Sequence, residues 1–135
     1  MDLVVSFEGG KKVNAEYKGH TIKTDQPVQA GGEDSAPAPF DLFLASIGTC
    51  AGIYVNGFCT SRGIDPTGIR IVQKMKVSPE TRLVSEIDLD IQLPEGFPDR
   101  YKEAVINAAE LCTVKKHLHN PPSINVKSSI LNEVQ

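Results

Sequence analysis

Three cysteines carry the chemistry that this chain could do. Cys50 and Cys59 lie nine positions apart in "LASIGTCAGIYVNGFCTSRG", residues 44–63, and Cys112 lies far downstream in "AELCTVKKHLHNPP". A thiol can fill a core as a small hydrophobe, ligate a metal or act as a nucleophile, and only its thiolate does the last two. Zinc would need Cys112, His117 and His119 to join Cys50. The spacings C-x4-H and H-x-H match neither a finger nor a ribbon, and no CxxC is present. No metal site is therefore expected. His117 and His119, with Lys115 and Lys116, read more simply as cations near a helix C-terminus. A serine hydrolase is not supported either, because the GxSxG elbow is missing.

The elements that must position these thiols can be read from period and punctuation. "LVVSFEGG", "KKVNAEYKG" and "HTIKTDQPV" predict an opening meander of two or three strands broken at "GG" and "KG". "QAGGEDSAPAP" is a turn-rich loop long enough to be functional. From Phe40 the period changes. Phe40, Phe43, Leu44, Ile47, Ala51, Tyr54, Val55 and Phe58 recur at helical spacing, with Pro37 and Pro39 before them and Gly63 and Pro66 after. "IRIVQKMKVS" and "RLVSEIDLDIQL" alternate with period two around the turn "SPET". "FPDRYKEAVINAAELCTVKKHLH" predicts one second helix, and "INVKSSIL" a last strand. The order predicts a single α+β domain over residues 1–135, helices laid on antiparallel sheet.

At roughly 100° per residue, Cys50 falls near the centre of the stripe formed by Phe43, Ile47 and Tyr54, and Cys59 nearly opposite. Cys112 lines up with Tyr101, Val105 and Ala108. Two helices on a common core could therefore bring Cys50 and Cys112 together while Cys59 points elsewhere. The first helix, roughly 35 Å long, is apolar throughout and interrupted by Gly48, Gly52 and Gly57. Burial in its own domain and packing against a partner subunit both account for that.

The bulk numbers exclude several classes. A 135-residue chain fits one core, and 40% hydrophobic with 23% charged residues is ordinary for a globular protein. A net charge of -3 gives no electrostatic footprint for nucleic acid or an anionic membrane. "MDLVVSFEGG", with an acid at position 2, is not expected to be a secretory signal. No uninterrupted apolar run approaches the roughly 18 residues of a membrane span. A reducing cytoplasm is the expected location.

"GGEDSAPAPFDLFLASIGTC" resembles the segment of the OsmC/Ohr family in which a Gly-rich loop and a Pro lead into a long central helix bearing the first reactive cysteine. "AAELCTVKKHL" is similar to the family's second cysteine segment, about sixty residues later. The order of elements matches across nearly the whole chain, closer to the less characterised OsmC-like branches than to the Ohr branch. The resemblance implies an intertwined homodimer with two active sites at the subunit interface. It implies a thiol peroxidase acting on organic hydroperoxides or hydrogen peroxide in oxidative stress defence. Cys50 would be the peroxidatic thiolate and Cys112 the resolving thiol, with no cofactor. A dithiol, such as a dihydrolipoyl group on a protein, would restore the enzyme. Cys59 has no role in the family and is expected to be structural. Family peroxidases place a Glu directly after the loop's Pro, paired to an Arg of the early strands. Here Phe40 follows Pro39, the acid is displaced to Asp41, and the early strands hold no Arg, leaving Lys11 as the nearest cation. Thr113 follows the second cysteine where Pro is common. The alternative reading is a non-catalytic pocket protein of the same fold binding an apolar or thiol ligand.

Overall fold

The computed structural model describes residues 2–131. The chain opens with β1 (Val4–Gly9), β2 (Lys12–Tyr17) and β3 (His20–Thr24), an antiparallel meander in the order β1-β2-β3. The β2–β3 turn pairs Tyr17 with His20 across Lys18 and Gly19, whose φ values are 51° and 80°. Two successive left-handed residues give a primed turn whose twist matches that of the strands, and glycine takes the second position without strain.

A loop stapled by Asp25 leads from this sheet to α1 (Pro39–Thr60). Asp25 is 1% exposed. Its carboxylate accepts the backbone N–H groups of Gln26 at 2.7 Å, Ser35 at 3.1 Å and Glu33 at 3.3 Å, and the Ser35 hydroxyl at 2.6 Å. Those donors hold its pKa down at about 2, the Ser35 hydroxyl contributing most.

Helix α1 runs as the period predicts, but its core face is rotated from the expected one. The buried positions are Ile47, Ala51, Val55 and Cys59, while Phe43 is exposed and Cys50 and Tyr54 lie on the half-buried flank. Cys59 does point away from Cys50, and it points into the core, at 0% exposure. Burial raises its pKa, as expected of an inert core thiol.

The core face packs on β4 (Arg70–Val77) and β5 (Val84–Gln92), an antiparallel pair that sets Ile71 opposite Ile91 and Gln73 opposite Leu89. Gln73 reaches across to α1 and donates from Nε2 to the Leu44 carbonyl at 3.0 Å. Gly48 makes room for it: a Cβ there would lie 2.7 Å from Gln73 Oε1.

The expected second helix is broken in two. A 3-10 turn at Asp99–Tyr101 leads into α2 (Lys102–Ala109), and α3 (Thr113–His119) follows after a gap. Cys112 sits in that gap with extended backbone (φ -47°, ψ 124°) and caps α3, its sulfur accepting the Lys115 N–H at 3.5 Å. The break turns the Cys112 side chain inward, to 2% exposure, with Sγ 3.9 Å from the Ile47 carbonyl. A helix continued through residue 112 would have kept the Lys115 N–H on the Leu111 carbonyl instead of freeing it for the Cys112 sulfur.

Residues 121–131 form no strand, contrary to the reading of "INVKSSIL". Ile124, Val126, Ile130 and Leu131 are all at least 85% exposed. Alternation without a neighbouring strand leaves the ladder unmade. The two sheets and three helices make an α+β fold, as expected.

Candidate active site

The fold brings Cys50, on α1, beside Cys112 and the first residues of α3. Both are free thiols. The Cys50 pKa is lowered, first by the Val114 backbone N–H, and further by the Cys112 thiol and the N–H and hydroxyl of Thr113, against the opposing effect of burial. Each of these donors stabilises a thiolate, which only accepts. The Cys112 pKa moves the other way, raised first by burial and then by the neighbouring Cys50, with the Lys115 N–H opposing. One sulfur is thus disposed to ionise and its neighbour to stay protonated. The third, Cys59, is two and a half turns further along α1 and sealed in the core.

Tyr54, one turn beyond Cys50, completes the cluster: its phenol oxygen lies 2.8 Å from Thr113 Oγ1. The Lys115 ammonium is paired with Glu110. The Cys112 sulfur also borders a cavity of about 80 Å³ lined by Ile47, Leu89, Ile91 and Ile106. A larger groove of about 510 Å³ runs along Gly48, Gly52 and Asn56 against Ile71 and Gln73.

The other expected site residues lie apart from the thiols within one chain. Phe40 and Asp41 begin α1, about 15 Å down its axis from Cys50 at 1.5 Å per residue. Phe40 is 53% exposed and stacks on Phe43 at 5.6 Å. Lys11 is in the turn after β1, its Cε against Gly31. Sequence reasoning did not find Tyr54 or Val114. The apolar stripe to which Tyr54 belongs conceals its hydroxyl, although its position four residues after Cys50 places both on one helix flank. Val114 acts through its backbone and carries no sequence signal. Among the described residues no group of three or more His, Cys, Asp and Glu could hold a metal ion.

Residues 32–127 match the model of the OsmC-like protein family. The chain belongs to the OsmC-like family. It is 25% identical to a Psychrobacter arcticus protein described as a candidate osmotic stress induced and detoxification response protein, with a TM-score of 0.71 over 84% of this chain and 85% of that one. An OsmC-like protein from Mycoplasma pneumoniae shares the fold at 14% identity and a TM-score of 0.68, over 89% of this chain and 87% of that one. A Legionella pneumophila organic hydroperoxide resistance protein OsmC, also described as a predicted redox protein and regulator of sulfide bond formation, shares it at 19% identity and a TM-score of 0.52, over 87% and 89% of the two chains. No curated protein matches in sequence.

Proposed function

We propose that the chain is a thiol-dependent peroxidase that reduces organic hydroperoxides or hydrogen peroxide in a reducing cytoplasm. The observation that carries this reading is the pair of neighbouring free thiols, Cys50 half-buried and Cys112 buried, and their pKa directions, Cys50 down and Cys112 up, agree with it. The Cys50 thiolate attacks the terminal oxygen of the peroxide. The O–O bond breaks, its electron pair leaves with the alkoxide, which takes a proton to become the alcohol, and Cys50 becomes a sulfenic acid. Cys112, whose proton leaves with the hydroxide as water, closes a Cys50–Cys112 disulfide. A dithiol, such as a dihydrolipoyl group, takes over that disulfide and returns both thiols. Attack is favoured at the Cys112 sulfur, since the lower-pKa Cys50 thiolate is the better leaving group.

The assembly that fits this reading is a homodimer. Helix α1 has a mean hydropathy of 1.5, long and apolar enough to cross a membrane by length and composition alone, yet only 22% of that stretch is buried in the single chain. A second subunit covering it accounts for both facts.

One equivalent of cumene hydroperoxide should remove two hydrogens and leave one internal Cys50–Cys112 crosslink by mass spectrometry, with Cys59 still alkylatable after denaturation. Peroxide consumption with dithiothreitol should be lost in Cys50→Ser. A crosslink through Cys59, or sulfinic acid at Cys50 without a disulfide, would refute the pairing. Absence of peroxide consumption beside a ligand copurifying at the thiols would favour the pocket-protein alternative.

A further inference from the structure

We propose that Tyr54 is a positioning residue for the Cys50 thiolate, acting through the hydroxyl of Thr113. Three observations carry it. Tyr54 Oη and Thr113 Oγ1 are 2.8 Å apart, an oxygen–oxygen hydrogen bond joining α1 to α3. The same Thr113 hydroxyl is among the groups that hold the Cys50 pKa down. Tyr54 stands at i+4 from Cys50, so phenol and sulfur flank the hydroxyl from one face of one helix.

The direction of the chain follows from counting hydrogens. A threonine hydroxyl has one hydrogen and two lone pairs, and a thiolate has no hydrogen to give. When Cys50 is ionised, the Thr113 O–H must donate to sulfur, so Oγ1 is left as an acceptor and the Tyr54 O–H fills it. The phenol thereby holds the Thr113 hydrogen on the sulfur and polarises that bond. When Cys50 is protonated, the chain can run the other way, S–H to Oγ1 and Thr113 O–H to the phenol oxygen. Ionisation of Cys50 thus coincides with reversal of two hydroxyls. Without the phenol, the Thr113 hydroxyl is free to turn toward a backbone acceptor or water. The other titratable groups around this cluster are Cys112, the Lys115–Glu110 ion pair, and His117, whose Nδ1 lies 2.8 Å from the Thr113 carbonyl. None of them reaches the phenol–hydroxyl bond. A proline after Cys112 could build no such chain, so it belongs to this sequence through Thr113.

The inference rests on Cys50 being the nucleophile of the proposed reaction. Its test reads the thiol itself and therefore separates from any failure of turnover. The measurement is the pH profile of iodoacetamide alkylation of the Cys50 peptide, resolved by mass spectrometry from Cys59 and Cys112. Tyr54→Phe should slow alkylation at pH 7 by roughly threefold to tenfold, the effect of one hydrogen bond, with the profile displaced to higher pH. Thr113→Val should slow it at least as much, and the double variant no further than Thr113→Val alone. Thr113→Ser, which keeps the hydroxyl, should restore the wild-type profile. An unchanged profile in Tyr54→Phe, or a double variant showing the product of the two single effects, would overturn the relay. If Tyr54→Phe does not fold, 3-fluorotyrosine at position 54, a more acidic donor, decides: a profile displaced to lower pH supports the relay and an unchanged one overturns it. A merely structural tie between α1 and α3 would change melting temperature and leave the profile where it is.

Discussion

Thr113 brings both a backbone N–H and a hydroxyl to the side of Cys50, and proline would bring neither. At the first position of a helix proline is well tolerated, because its φ is already set and the missing N–H has no intrahelical partner. Thr113→Pro should therefore leave the fold intact, checked by circular dichroism. It should slow Cys50 alkylation at pH 7 by roughly tenfold or more, since two favourable donors disappear together. Asp25 makes a second prediction of the same size in chain but different in kind. Its carboxyl has a folded pKa of about 2, below its ordinary value of 3.8. A depressed folded pKa means that the folded state binds fewer protons, so the stabilisation is fully present above the ordinary value and fades as pH falls through about 2. Acid unfolding should show a loss of stability between these limits that Asp25→Asn lacks. At pH 7 that variant should melt roughly 5 °C lower or more, because an amide nitrogen cannot accept the Ser35 and Glu33 donors.

Helix α1 is held to β4 by a side chain that needs an absent Cβ. Gly48→Ala should be close to neutral for stability. The helical gain of about 1 kcal/mol over glycine is offset by displacing Gln73 from the Leu44 carbonyl, a bond worth about 1 kcal/mol. In a Gln73→Ala background the same change has nothing to displace and should become stabilising by up to about 1 kcal/mol. Chemical denaturation of the four proteins measures this cycle; additivity would show that Gln73 does not use the space Gly48 leaves. The same helix shows what sequence can and cannot supply. Its ends were legible because Pro39 and Gly63 punctuate a clean period, and the meander because "GG" and "KG" mark its turns. Its core face was legible only in part: Ile47, Ala51 and Val55 belong to the predicted stripe, but the buried face is turned toward Cys59. Both flanks of α1 are apolar, and the aromatic residues Phe40, Phe43 and Tyr54 weight the predicted stripe to one side, whereas the chain buries Cys59 on the other. The break before α3 was hidden because the apolar period runs through Leu111 without Gly or Pro; the thiol of Cys112 does the capping. The approach of Cys112 to Cys50 was open to reading, whereas the donors from α3 depend on backbone direction at the break.

For the molecule as a whole, the exposed apolar residues set the expectation. Phe7 is 84% exposed on β1, and Phe40 and Ile53 are 53% and 63% exposed on α1. Surfaces of this kind mark interfaces. Light scattering at micromolar concentration should give about twice the chain mass of 14.6 kDa. A stable monomer would count against the dimer.

The β1–β3 meander has every residue of β1 exposed and no helix of its own chain laid substantially across it. A three-stranded sheet covered by no more than a loop of its own chain is only marginally stable in water. Its amides should therefore report on something other than the fold of their own chain. If a second subunit covers the sheet, deuterium uptake in residues 4–24 should slow as protein concentration rises. Uptake in the amides of α1 and β4 that already face the core should change less. Protection in the first three strands would then measure association rather than folding, so the two events could be followed separately in one spectrum.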